Sequence, residues 1–355
     1  MSLRTPTVSA VPLPAPAAFA EAQVNAPGWH LSVWNYNSHS GDPTRNWRLF
    51  LGEISTRVST TVRPYIPDIV TVQEVEYRDG EMTHVPCSDL VDELHRATGG
   101  QPYQCKVATA PNGRNNGVGP TQGGAAIIYR PSRLTFLDHT MFQLESNKAD
   151  SNGHALGCRI RDSDGADQTS VWTGIAARFS MTVGTQTMHL TVATAHMPKQ
   201  AGLKDKHNHC IYANTLAAIQ ATKNLDARAS GSSQLRIISG DFNMEDRNST
   251  NAWRHWYMRV NGRWAQTTVG NLGMDDIAEK ACHPSGATDD MVRACLDQPG
   301  QEGTWWTAGE TSRRRIDYIW TIKSASIANQ ETIAQTTPAY SDHRGMGATL
   351  ELSSL

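Results

Sequence analysis

The spacing of apolar and polar positions changes repeatedly along the chain, and each change predicts an element. His30-Leu31-Ser32-Val33-Trp34 alternates with a period of two, as a strand does. Trp47, Phe50, Leu51, Ile54, Val58 and Val62 recur along one face at helical spacing. Residues 68–72 read as a short buried strand. Ser88 or Asp89 is placed to cap a helix whose apolar face includes Leu90, Val91 and Leu94, closing at Gly99-Gly100. Further strands are expected over 124–129, 188–195, 236–239, 316–321 and 348–352, with a helix over 211–226. Segments 112–122 and 265–303 are rich in Gly, Asn, Thr and Asp and read as surface loops. Strands and helices alternate, so an α/β domain is expected. No internal repeat interrupts it, and no linker is evident after residue 27. Residues 1–27, with Pro6, Pro12, Pro14 and Pro16 among alanines, are expected to form a tail, leaving 28–355 as a single domain.

Composition narrows the class. With 355 residues, 39% hydrophobic and 19% charged, the chain has room for one large domain. The formal net charge of −2 gives no global cationic field, so binding of a polyanion has to be local or mediated by bound cations. No apolar run approaches a membrane span, and the first residues lack the continuous apolar core of a secretory signal. The six cysteines contain no Cys-x-x-Cys pair, which argues against a zinc ribbon. Their even number suits three disulfides in an oxidising compartment, hence a secreted protein, with buried free thiols as the alternative. Cys87/Cys105 and Cys282/Cys295 are the pairs nearest in sequence.

The candidate chemistry falls at strand ends. Asn35 follows the first strand, Glu74 the second, His196 the run Thr191 to Ala195, and Asp241 the run Ile238-Ser239-Gly240. Residues gathered at one edge of a sheet are how open α/β structures assemble a site. Asp342 and His343 are adjacent just before the last strand, so both face one cleft only if they lie in the turn that feeds it. With Asn37, Asn243 and Asp317 the set is rich in hard oxygen donors, favouring Mg²⁺, Mn²⁺ or Ca²⁺ over zinc. Two imidazoles beside such a cation suit attack on a phosphate ester: one takes a proton from water, the other protonates or hydrogen-bonds a phosphoryl oxygen.

These elements resemble the endonuclease/exonuclease/phosphatase superfamily. The resemblance rests on Leu31-Ser32-Val33-Trp34-Asn35, on the segment from Asp68 to Gln73-Glu74, and on Gly123-Gly124 through Tyr129-Arg130. It continues with Thr194-Ala195-His196, Ser239-Gly240-Asp241-Phe242-Asn243, Arg315-Ile316-Asp317-Tyr318 and Ser341-Asp342-His343. Seven elements in order from Leu31 to Leu352 imply a DNase-I-like, four-layer α/β/β/α sandwich of two packed mixed sheets flanked by helices. The resemblance implies Glu74 as metal ligand, with Asn35 and Asp342 near the ion. It makes Asp317 the partner that orients His343, the base toward water or a contact to the phosphate. His196 would stabilise the phosphate or protonate the leaving oxygen, Asp241 assist the nucleophile or a second ion, and Asn243 donate to a phosphoryl oxygen. Asn37, Arg315 and Trp306 are candidate substrate contacts.

The chain departs from relatives of known type. Abasic-site repair enzymes of this superfamily carry a tyrosine where His196 stands and an acid where Asn37 stands. The glutamate that supports the first histidine in deoxyribonuclease I is replaced by the stretch Gln122-Gly123-Gly124. The Pro-x-Trp-Cys-Asp-Arg element of inositol-polyphosphate phosphatases is absent. The expectation is a monomeric, metal-dependent phosphodiesterase acting on nucleic acid, a DNase-I-like endonuclease. The alternative is a sphingomyelinase-like phospholipid hydrolase, for which residues 253–264 would supply an aromatic hairpin; a non-catalytic scaffold is a third reading. Trp253, Trp256, Tyr257 and Val260 otherwise read as core at helical spacing. Lys206-His207-Asn208-His209 reads as a polar helix start, not a zinc site.

Overall fold

A computed structural model describes residues 29–37, 50–52, 66–73, 87–108, 124–144, 160–161, 167–168, 173–197, 204–229, 231–243, 272–277, 316–322, 326–333 and 345–352. The strands are β1 (Trp29–Asn37), β2 (Ile69–Gln73), β3 (Gln104–Val107), β4 (Ala125–Tyr129), β5 (Thr135–Gln143), β6 (Ile160–Arg161) and β7 (Asp167–Gln168), followed by β8 (Thr173–Val183), β9 (Gln186–His196), β10 (Leu235–Asp241), β11 (Met274–Asp276), β12 (Asp317–Ile322), β13 (Ser326–Ile333) and β14 (Gly345–Leu352). The described helices are α1 (Cys87–Ala97) and α2 (Lys204–Arg228).

Twelve of these strands form two six-stranded sheets, in the orders β13-β14-β1-β2-β4-β3 and β11-β12-β10-β9-β8-β5, while β6 and β7 make a separate ribbon. Both sheets are mixed: β1 and β2 are parallel, as are β9 and β10, and the remaining pairs are antiparallel. The alternation of side chains decides the layers. Leu31 and Val33 of β1 point between the sheets, meeting Ile69, Ile127, Phe179, Val192, Ile237, Ile319 and Leu350. The next residue, Trp34, faces outward with Val70, Val72 and Ile128, packing against Leu90 and Leu94 of α1. On the far side Ala193, Ile238 and Trp320 pack against Ile211, Ala218 and Leu225 of α2. Helix, sheet, sheet and helix follow in order, so the sandwich expected from the sequence is what forms. Each fully buried aliphatic or aromatic side chain contributes about 1.5–3 kcal/mol, so these three cores supply most of the stabilisation.

The structure extends and amends the expected elements. The long helix begins at Lys204, not residue 211. Within the segment read as loop, 265–303, Met274–Asp276 pairs with β12 as a strand. Strands β3, β5, β8 and β13 add to those expected. Helix α1 closes at Gly99 and Gly100, both at positive φ, with Gly100 N–H donating to His95 O at 2.8 Å. The predicted tail, the loop 112–122 and the stretch 253–264 lie outside the described residues, as does most of the predicted 47–62 helix, of which 50–52 are helical.

Candidate functional site

One end of the space between the sheets is polar, and the sequence makes it so strand by strand. The inward positions of β1 run Leu31, Val33, Asn35, Asn37, and those of β2 run Ile69, Thr71, Gln73. In β9 they run Leu190, Val192, Thr194, His196; in β10, Leu235, Ile237, Ser239, Asp241. Because β1 and β2 are parallel, and β9 and β10 are parallel, each run turns polar at the same end. Antiparallel β12 enters there with Asp317 directly opposite Asp241.

The side chains meet across the layer. Asn37 Nδ2 donates to Asp241 Oδ2 at 2.9 Å, joining the two sheets. The N–H of Asn243 donates to Asp241 Oδ1 at 2.7 Å, closing an Asx turn in which Asn243 adopts φ 49°. Asn243 Nδ2 donates to Met197 O at 2.7 Å, which fixes the amide's orientation, and its other hydrogen faces His196 Nε2 at 2.9 Å. His196 Nε2 accepts from Asn243 when the ring carries its only hydrogen on Nδ1, and donates toward Asp241 when Nε2 is protonated. Asp241 Oδ2 lies 3.3 Å from the same nitrogen. A proton arriving at Nε2 would turn it from Asn243 toward that carboxylate, so the cluster can hold and release one proton at a defined atom. Asp241 and Asp317 are essentially buried, and His196 is 7% exposed.

Backbone geometry holds these groups in place. Met197 N–H donates to Asp241 O at 2.7 Å, and Phe242 N–H to Ile316 O at 2.8 Å, tying the ends of β9, β10 and β12 together. Gly240 has φ 148°, and a Cβ there would stand 2.1 Å from Ala195 O. Only glycine lets β10 lie this close to β9 just before Asp241.

Of the residues singled out in the sequence, the structure brings Asn37, His196, Asp241 and Asn243 into direct contact. Asp317 is in register with Asp241, and Asn35 is in the layer beneath. Glu74, Arg315, Trp306, Asp342 and His343 lie outside the described residues. Among the described residues no three His, Cys, Asp or Glu side chains converge as a metal cage. Sequence reading missed Thr71, Gln73, Thr194 and Ser239, all fully buried beneath the cluster. Stepping back two residues at a time from Asn37, Asp241 and His196, and noting that polar residues persist, would have found those on β9 and β10.

The sequence profile of the Endonuclease/Exonuclease/phosphatase family matches residues 34–343. No curated protein matches the chain by sequence. Among solved structures, an endonuclease/exonuclease/phosphatase from Bacteroides vulgatus aligns with TM-score 0.53 and 16% identity, over 92% of this chain and 100% of its own. The human Nocturnin catalytic domain with bound sulfate aligns at 0.52 and 16%, over 91% and 94%. ANGEL2, described as a 2′,3′-cyclic phosphatase and solved with adenosine-2′,3′-vanadate, aligns at 0.54 and 13%, over 92% and 96%. At these identities the likeness is one of fold: the two-sheet sandwich.

Proposed function

Since the chain belongs to the Endonuclease/Exonuclease/phosphatase family, we propose that it is a divalent-metal-dependent phosphodiesterase, a DNase-I-like endonuclease acting on nucleic acid. The observation behind this reading is the buried Asp241, held by the neutral donors Asn37 and Asn243, beside His196 and directly opposite a second buried carboxylate, Asp317. Two carboxylates facing each other in register repel unless positive charge is nearby. A hard cation and an imidazolium answer that need.

Connectivity supports the rest of the set. Glu74 directly follows Gln73 at the polar end of β2, and Asp342 and His343 stand three and two residues before β14 begins, where Met346 pairs with Asn35. At about 3.3–3.6 Å per residue, those side chains are within reach of the cluster. Glu74 and Asp342 would hold Mg²⁺ or Mn²⁺, whose oxygen preference they match. When bound, that ion neutralises charge developing on the phosphate. In this reading His343, oriented by Asp317, takes the proton of the attacking water as its oxygen bonds to phosphorus. His196, protonated at Nε2 before the attack, delivers that proton to the oxygen that leaves as the old P–O bond breaks. While His196 carries that proton, Asn243 turns its hydrogen toward a phosphoryl oxygen. Arg315 and Trp306 are proposed contacts to substrate.

An oxidising compartment is proposed with it, supported by the even cysteine count. Peptide mapping without reduction should recover Cys105 joined to Cys87; a free Cys105 thiol would remove this support.

Plasmid nicking with Mg²⁺ or Mn²⁺ tests the main reading. Nicking that chelator abolishes and that His343→Ala reduces at least about a hundredfold is expected, whereas equal activity in the two proteins would refute it. RNA and sphingomyelin vesicles in the same panel set the substrate: phosphocholine release with DNA left intact would move the assignment to a phospholipid hydrolase.

A further inference from the structure

Beneath the cluster lies a lattice of neutral polar side chains that the reaction just described does not use. Gln73 Nε2 donates to Asn35 Oδ1 at 2.9 Å and to Thr194 Oγ1 of the opposite sheet at 2.8 Å. Thr71 Oγ1 lies 2.8 Å from Asn35 Oδ1, to which it donates, and accepts from Ser239 Oγ of the opposite sheet at 2.9 Å. All five side chains are fully buried. Apolar residues of like shape would fill this space at little or no loss of stability, so the hydrogen bonds are best understood as fixing position.

What they fix is the direction of one amide. A carbonyl oxygen has two lone pairs, and both of those on Asn35 Oδ1 are taken, by Thr71 and Gln73. The other end, Asn35 Nδ2, is buried and has no hydrogen-bond partner among the described residues. A buried donor left without an acceptor is unfavourable in the free protein, and a ligand that supplies one relieves it.

We propose that Gln73 and Thr194 are positioning residues that set the polarity of Asn35, so that Asn35 meets the site as a hydrogen-bond donor to an oxyanion and not as an oxygen ligand to a cation. This rests on the phosphodiesterase reading, and it alters the part taken by Asn35 within it. The oxyanion is either a carboxylate that holds the metal or a phosphoryl oxygen of the substrate; both present the same acceptor chemistry. The competing arrangement turns both amides over. Gln73 would then accept from Asn35 and Thr194, Thr71 would donate to Trp34 O at 3.2 Å, and Asn35 Oδ1 would be free for a cation.

Neutron diffraction from the deuterated wild-type protein separates the two directly. The proposal expects deuterons on the Gln73 nitrogen that faces Asn35; deuterons on an Asn35 nitrogen facing Thr71 would overturn it. Kinetics give a second readout. Gln73→Glu removes the donor and pulls Asn35 around, so kcat at saturating Mg²⁺ should fall about 10- to 100-fold, with KM and the melting midpoint in EDTA little changed. Undiminished kcat in Gln73→Glu would mean that residue 73 was an acceptor all along, and the proposal would fail. Thr194→Val should lower kcat and Thr194→Ser restore it, because only the hydroxyl is at issue. Titration of Asn35→Leu with Mn²⁺ alone, and with inorganic phosphate in its presence, identifies the acceptor. Weaker Mn²⁺ binding marks a carboxylate, weaker phosphate binding marks the phosphoryl oxygen, and no change in either counts against the proposal. A wild-type protein that cleaves no phosphodiester would sink the preceding reading, yet the neutron maps would still decide the orientation of Asn35.

Discussion

Asp68 and Asp241 are both buried aspartates at strand ends, yet they are held in opposite ways. Asp68 lies just before β2, at the end of the sandwich away from the cluster. Its carboxylate pairs with Arg130, lies 3.5 Å from Arg133 Nε and accepts from Ser32 N–H at 2.9 Å. Backbone bonds from Asp68 N–H to Ser32 O and from Arg130 N–H to Asp68 O close the same clasp. There the charge is matched by guanidinium groups and the geometry is complete. Asp241 is held by an amide and a backbone N–H, with His196 Nε2 3.3 Å from its carboxylate. Neutral donors from both sheets fix its direction. Guanidinium partners make a structural joint at Asp68, whereas Asp241 is oriented by amide donors beside an imidazole.

The contrast can be broken by mutation. The largest effect is expected at Asp241: Asp241→Asn should lower hydrolysis by about a thousandfold, near 4 kcal/mol of barrier, while the melting midpoint stays level or rises. A similar loss of rate from Asp68→Asn, measured where the variant is still folded, would erase the distinction. Asp68→Ala instead should destabilise by about 3–5 kcal/mol in urea titration, because Arg130 is left buried without its partner, with kcat per folded molecule unchanged. Gly240→Ala sits between the two kinds of effect. Its Cβ would press on Ala195 O, and a cost of about 1–3 kcal/mol in stability should accompany a fall in rate as Asp241 is displaced. Rate and stability falling separately would show that the close approach of β9 and β10 does not place Asp241.

The smallest effect belongs to the clasp. Tyr103 is buried and donates to Pro67 O at 2.9 Å beside Asp68. Burial raises its pKa above the ordinary 10.0, an effect that Arg130 partly offsets. The folded protein therefore keeps this proton where the unfolded chain loses it. The stabilisation is whole below about pH 10 and declines as pH rises further. Urea midpoints between about pH 9 and pH 11 should fall for wild type and flatten in Tyr103→Phe.

Reading the chain before its structure worked where one residue type has few other uses. A histidine or aspartate at the end of an apolar run stands out, which is why Asn37, His196, Asp241 and Asn243 could be gathered before they were seen to touch. Thr71, Gln73, Thr194 and Ser239 did not stand out, because threonine, glutamine and serine are unremarkable in strands and their meaning lies in the opposite sheet. Strand β5 was missed for a local reason: its pairing with β8 shifts register between Phe136 and Asp138, which breaks the alternation a strand is recognised by. β11 was missed because Met274-Asp275-Asp276 has little strand character alone and takes its form from β12. Gly240 was read only as the residue before Asp241; its constraint is the carbonyl of a neighbouring strand.

The pairing of β1 with β14, from Trp29 opposite Leu352 to Asn35 opposite Met346, has a consequence for biosynthesis. The strand that borders Asn35 is built from residues 345–352, so the first sheet cannot close until the chain has been made at least that far. A nascent chain shorter than this would then be inert toward phosphodiesters, and a deletion removing β14 should yield a protein that neither cuts nor folds.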